Sequence, residues 1–409
     1  MVIDMRSSEL NQTNRLHYMD ATRTFALLLG VMFHASLSFM PVFIGWAVMD
    51  INTSNVVSIM VLIAHSFRME LFFLIAGFFT FHTIRKKGVS LFIKSRLLRI
   101  GLPFVLGWLL LRPMLVSGWV MGGASMRGDI DYFAALTASM DDLLQLPQGL
   151  LIGTHLWFLY YLLVFSVCTL ITVSIFKLLP EQFLTTVKRI KQLIICYKGH
   201  YVLIALLTCV CMWFMQHWAV DTPDKSLKLN LPVFFLYGTF FSLGAFLASS
   251  AEYLTKFTEI TKTRLVICLL AIGGCLVLAP FEMQGGHADY LWIKAAYIVC
   301  YGLIMWLLTM LTLGMARRLV QGSNAFITYM GQASYFVYLI HLPIVIWLQI
   351  AVAELTIAWP IKLFLVSIGT VSISVLIYDL AIRNSSIGNL LNGKKHPSGA
   401  IKFMKNWGA

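Results

Sequence analysis

Ten apolar stretches, each long enough to cross a bilayer as a helix, punctuate the 409-residue chain. They lie near 24–46, 57–81, 101–121, 155–179, 201–220, 230–249, 264–281, 291–314, 327–352 and 360–381. The pattern predicts an all-α, polytopic membrane protein with about ten transmembrane helices. Composition agrees. The chain is 59% hydrophobic and only 12% charged, with a mean hydropathy of +0.81, which excludes an ordinary soluble domain.

The net charge of +13 would suit a nucleic-acid partner, but its distribution argues against one. Of the 31 Lys and Arg, 24 fall in 1–23, 82–100, 180–200 (with Lys177), 250–264, 315–326 and the tail. The intervening loops hold Arg127, Lys225, Lys228, Lys294 and Lys362, while Arg68 and Arg112 lie inside spans. This is a positive-inside pattern, and it places both termini in the cytoplasm. The expected organisation is a cytoplasmic segment 1–23, a transmembrane domain 24–382 and a short cytoplasmic tail 383–409. The polar N-terminus, with Asp4, Glu9 and Asp20, does not read as a cleavable leader. The seven cysteines contain no CxxC and mostly sit in apolar segments, so packing is expected of them, not disulfides or metal. The longest outer loop, 122–154, carries Asp129, Asp131, Asp141 and Asp142, and reads equally as a lid or as an ordinary polar loop.

The second apolar stretch contains HSFRMELFFLIAGFF, with His65, Arg68 and Glu70 within six residues. Charged groups in lipid are costly and rarely idle. His34 lies about 15 Å into the first span, and Arg68 about 16 Å into the second, a turn from His65 on the same face. His341, in SYFVYLIHLP, falls at a similar depth in the ninth. Several polar groups at one level point to a buried polar site. Glu70 faces the other side of an ideal helix, where Arg112 is a candidate partner.

At the inner rim Asp20 and Arg23 are spaced i, i+3, as are Arg96 and Arg99. Arg23 precedes His34 by eleven residues, three turns on one face. Such arginines serve lipid headgroups, or else bind the phosphates of a cofactor. Asp379 and Arg383 form a further i, i+4 pair with a structural look. At the other rim THLWFLYYLL offers His155, Trp157 and Phe158, which suit an aromatic belt or a sugar equally well. GxSxG, Walker, GxGxxG, HxxxxD and HEXXH patterns are absent.

The R-x10-H of Arg23 and His34, the RxxR of Arg96 and Arg99, and the ten spans resemble membrane acyltransferase family 3. RLHYMDATR, FHASL, HSFRMELFFLIAGFF, SRLLRIGLP, HLWFL and SYFVYLIHLP resemble its osmoregulated periplasmic glucan biosynthesis branch, associated with succinylation. The resemblance runs from residue 15 to about 385, and Ala76 departs from it where serine is common. It implies O-acyl transfer from cytoplasmic acyl-CoA, succinyl-CoA in this branch, to a periplasmic glucan or other glycan across the bacterial inner membrane. Acyl-CoA is then a co-substrate, and no tightly bound cofactor or metal is expected. On this reading Arg23, Arg96 and Arg99 hold the phosphates, with Asp20 orienting Arg23. His34 is the general base, while Arg68, His65 and His341 stabilise the oxyanion or a succinyl carboxylate. His155, Trp157 and Glu70 contact the acceptor. The rival expectation is a transporter or flippase for a glycan precursor, which also needs polar groups at mid-depth.

Overall fold

A computed structural model describes residues 2–125, 131–144, 154–183, 185, 186, 189, 200–224, 226–322 and 324–392. No strand occurs among them. The helices are α1 (Val2–Ser36), α2 (Asn55–His65), α3 (Arg68–Arg96), α4 (Leu102–Ser125), α5 (Tyr132–Leu144), α6 (Trp157–Leu178) and α7 (His200–Trp213). They continue with α8 (Leu231–Ser249), α9 (Ala251–Phe257), α10 (Lys262–Leu278), α11 (Tyr290–Leu319), α12 (Ala325–Val352), α13 (Trp359–Ile377) and α14 (Ser386–Asn392).

Eight segments of the described chain are long and apolar enough to cross a membrane, which makes this a multi-pass membrane protein. One of them, Asn55–Ala124, takes in two of the expected stretches, and 201–220 falls on the shorter apolar helix Ile204–Trp213. Three boundaries differ from expectation. The first span leaves α-helix at Ser36 instead of running to 46, because Pro41 and Gly45 follow. At its other end α1 runs unbroken through the expected boundary at residue 23. The second stretch breaks at Ser66 and Phe67, so α2 ends on His65 and α3 begins on Arg68. Of the loop 122–154, residues 126–130 and 145–153 lie outside the described chain, as does 393–409 of the tail. The loop does contain α5, where Asp131 accepts from the Ala134 N–H at 2.8 Å and starts the helix.

The chain divides into two compact units. The first takes residues up to 64, 97–156 and 320 onward, hence α1, α2, α4, α5 and α12–α14. Here α1 packs on α12 and α13, and α4 packs on α12 and α5. Two apolar clusters hold these helices together. One joins Phe33, Leu37 and Ala64, and the other Ala47, Val48, Leu115, Leu342, Ile346 and Ala353. The 40–54 connection folds back and is pinned by Lys362, whose Nζ donates to both Asp50 carboxylate oxygens at 2.7 and 2.9 Å.

The second unit takes 65–96 and 157–319. Its centre is the contact of α3 with α8, where Gly77 meets the Phe241 carbonyl and Gly244 meets the Leu74 carbonyl. A Cβ at either position would collide with backbone, so the two helices approach as closely as glycine allows. Around that contact Phe73 stacks on Tyr237 with centroids 4.6 Å apart and meets Phe165 edge-on at 5.4 Å. Gly88 breaks α3 at φ +78, a left-handed conformation that side chains disfavour, so Val89–Arg96 forms a separate arm. Asn230, Ser250 and Thr261 cap the starts of α8, α9 and α10 with side-chain oxygens. The six described cysteines are free thiols, and Cys196 lies outside the described residues. No group of potential metal ligands occurs among the described residues.

Candidate functional site

The first unit brings the polar residues of α1 and α12 together at two levels. Near the start of α12, beside the middle of α1, the Arg23 guanidinium donates to the Gly331 carbonyl at 2.7 Å. Asp20, one turn back on α1, holds the same Nη2 at 3.4 Å. A cavity of about 330 Å³ opens there, lined by His17, Asp20, Arg23, Arg99, Asn324 and Gln332 among others. Asn324 caps α12 by accepting from the Phe326 and Ile327 N–H groups at 2.8 and 3.3 Å, so the positive end of the helix dipole lies at the cavity. The Tyr335 hydroxyl donates to the Arg99 carbonyl at 2.6 Å and fixes the π-helical turn Leu97–Gly101 that carries Arg99. Two guanidinium groups beside a helix N-terminus make a fitting receptor for phosphate. Asp20, Arg23 and Arg99 are the residues that the i, i+3 and RxxR spacings single out. His17, Asn324 and Gln332 carry no such signal, since two of them arrive from a helix 300 residues along the chain.

Because α1 is unbroken, His34 stands ~16 Å along its axis from Arg23, on the same face. There its ring meets His341 of α12 at 5.4 Å between centroids. The His341 ring in turn meets His155 edge-on at 5.5 Å. Hydrogen bonds fix which nitrogens carry protons. His341 Nδ1 donates to the Tyr338 carbonyl at 2.6 Å, and His155 Nε2 donates to the Leu339 carbonyl at 3.0 Å. The second bond follows from sequence. Pro343 has no N–H, so the Leu339 carbonyl four residues earlier loses its helical partner, and His155 takes the vacancy. His155 Nδ1 is buried without a hydrogen-bond partner among the described residues. The Tyr338 hydroxyl closes the arrangement by donating to the His155 carbonyl at 2.7 Å. His155 thus joins the histidine row. The cue was the proline in HLP, which frees a carbonyl for a donor elsewhere in the chain.

The second unit holds the other candidates. His65 lies between the Tyr301 hydroxyl at 3.1 Å and Thr222 at 3.2 Å, which engage both ring nitrogens. A break at Ser66 and Phe67 follows it, so His65 and Arg68 stand on different helices. Arg68 opens α3 with its side chain buried. The expected convergence of Arg68 with His34 and His341 would span both units, and only its His34–His341 part lies within one. Glu70, in the first turn of α3, is fully buried. Arg112, its expected partner, belongs to the first unit and lies over the Trp108 ring at 4.9 Å. Arg96 donates to the Thr80 hydroxyl at 2.6 Å and covers the Phe92 ring, so the RxxR pair is divided between the units. Trp157 is buried and stacks on Tyr237 at 5.7 Å. Asp379 and Arg383 pair at 3.0 Å as expected.

The family model described as an acyltransferase domain (acyltransferase 3) matches residues 16–379. Glucans biosynthesis protein C of Escherichia coli strain K12 is 24% identical over 392 residues, covering 93% of this chain and 95% of the relative. The proteins of the same name from Escherichia coli O17:K52:H18 and O139:H28 match equally, at 24% over the same length. No solved structure matches.

Proposed function

Because the chain belongs to the acyltransferase 3 family, we propose that it moves an acyl group from a coenzyme A thioester to a glycan hydroxyl, along the paired α1 and α12. One observation carries this reading. A cavity with two arginines and a helix N-terminus lies at one end of the pair, and the His34–His341 contact lies ~16 Å further on. That span is of the order of a pantetheine arm. Phosphates held by Arg23 and Arg99 would leave the thioester near the histidines. The relatives are named for glucan biosynthesis, which supports a glucan as acceptor. The branch resembled implies succinyl as the group moved. The charge distribution supports cytoplasmic termini in a bacterial inner membrane, with the acceptor on the periplasmic side.

In this mechanism His34 removes the proton of the sugar hydroxyl as its oxygen attacks the thioester carbonyl. His341, its Nδ1–H engaged by Tyr338, presents Nε2 and in protonated form stabilises the oxyanion. Collapse breaks the C–S bond, and His34 returns its proton to the departing thiolate. His34→Ala is expected to abolish glucan acylation, read by mass spectrometry of periplasmic glucans, while CoA still raises the melting temperature of the solubilised protein. Arg23→Ala is expected to weaken that CoA response. Normal acylation by both variants would sink the scheme. Absence of any CoA response in the unaltered protein would favour a glycan carrier.

A further inference from the structure

The end of α1 that carries His34 is held by a residue with no part in the mechanism above. Gln349 of α12 is almost fully buried, and every group of its amide is used. Its Nε2 donates to the His34 and Ala35 carbonyls, both at 3.0 Å. Those carbonyls belong to the last turn of α1, where the helix supplies no N–H partner. Its Oε1 accepts from the Trp46 indole N–H at 2.9 Å. The chemistry permits only this orientation, since a flipped amide would set oxygen against two carbonyls and N–H against N–H.

Trp46 is the other half of the contact. It follows Gly45, whose φ of +78 turns the 40–54 connection back towards α1. Its indole lies nearly parallel to the His34 ring, with centroids 5.5 Å apart and planes 19° apart. Beyond it Trp119 meets the indole edge-on at 5.6 Å. Phe33 meets the His34 ring edge-on at 5.2 Å, and His341 at 5.4 Å is the titratable neighbour. The imidazole is therefore bounded on one face by an indole that donates its N–H to Gln349.

We propose that Gln349 is a positioning residue for His34, tying the end of α1 to the indole that fixes the plane of the imidazole. The proposal rests on the reading of His34 as the base. A general base must be held within a fraction of an ångström of its productive geometry, and a ring free to rotate loses most of its attempts. Gln349 is far along α12 from the arginine cavity, so it governs the chemical step and not donor binding.

The test uses the full chain in detergent or nanodiscs. Gln349→Leu is expected to lower kcat by about tenfold or more while the donor KM changes less than about twofold. Trp46→Phe retains a ring over His34 but lacks the N–H, and is expected to cost about threefold. Gln349→Leu should then cost less in the Trp46→Phe background than alone. A second readout needs no acyl transfer. A protonated imidazole in contact with an indole quenches its emission. The Trp46 contribution, taken as the difference from Trp46→Phe, should therefore fall on acidification. That quench should vanish in His34→Gln and weaken in Gln349→Leu. An undiminished quench in Gln349→Leu, or a loss confined to donor KM, would overturn the proposal. If no acyl transfer is found in any variant, the function fails, and the quench alone decides the clamp. If Gln349→Leu does not fold, Gln349→Met gives the same reading with an unbranched chain.

Discussion

Lys362 is fully buried, a costly place for a cation, and its removal makes a quantitative test of the first unit. Its ammonium spends its donors on the two Asp50 oxygens and on the Ala353 carbonyl at 3.2 Å. Asp50 is as deeply buried and also accepts from the Asn52 N–H at 2.8 Å. Burial pushes the Asp50 carboxyl above its ordinary range, and the bonds from Lys362 and Asn52 only partly pull it back. Lys362→Met leaves a dehydrated carboxylate without its counter-ion, which costs about 3–5 kcal/mol. Since 1.4 kcal/mol is about tenfold, the folded-to-unfolded ratio should fall by more than about two decades. Replacing both partners, Lys362→Met with Asp50→Leu, should recover most of that loss, because neither charge is then stranded. Denaturant unfolding of the four proteins of this cycle measures the coupling. The defect of Lys362→Met should also shrink on acidification. With the counter-ion gone the buried carboxyl holds a proton at a higher pH than the unfolded one, so protonation favours the folded state. A single-variant cost below about 1 kcal/mol, typical of exposed pairs, would refute the argument.

The close approach of α3 and α8 predicts that Gly244→Ala, whose methyl would strike the Leu74 carbonyl, costs about 1–3 kcal/mol in unfolding experiments. Gly88→Val should cost about 1 kcal/mol or more through backbone strain alone, since nothing crowds that position. Arg99→Ala should raise the donor KM about tenfold or more in initial-rate assays with little change in kcat. Asn324→Ala should remove the α12 cap at about 1 kcal/mol and weaken CoA binding in the same thermal-shift series.

How much of this was legible in sequence depends on whether a helix stays whole. The apolar stretches announce an all-helical membrane chain, and spacing along α1 correctly aligns Asp20, Arg23 and His34 because nothing interrupts that helix. The chain at His65 and Arg68 is less regular than that spacing supposes. A turn at Ser66 and Phe67 separates two helices there, and no proline or glycine marks it. Depth arithmetic finds His341 but cannot tell that α12, rather than another span, lies beside α1. RxxR spacing also does not announce that Arg99 lies on a π-helical turn. Gln349, Trp46 and Asn324 carry neither charge nor motif, and only the fold brings them beside His34 and the arginine cavity.

The contacts that build the histidine row share a cause. In lipid a carbonyl released from its helical ladder must find another donor. Two such releases occur near His34. One is at the end of α1, where the His34 and Ala35 carbonyls outrun their helix and Gln349 takes them. The other is inside α12, where Pro343 strips the Leu339 carbonyl and His155 takes it. Each release docks a side chain from a distant part of the sequence onto the same few ångströms of α1 and α12. An apolar environment thus makes helix defects into obligatory attachment points. It explains why a proline and a helix terminus, which would weaken a soluble bundle, stand beside the residues proposed to do the chemistry.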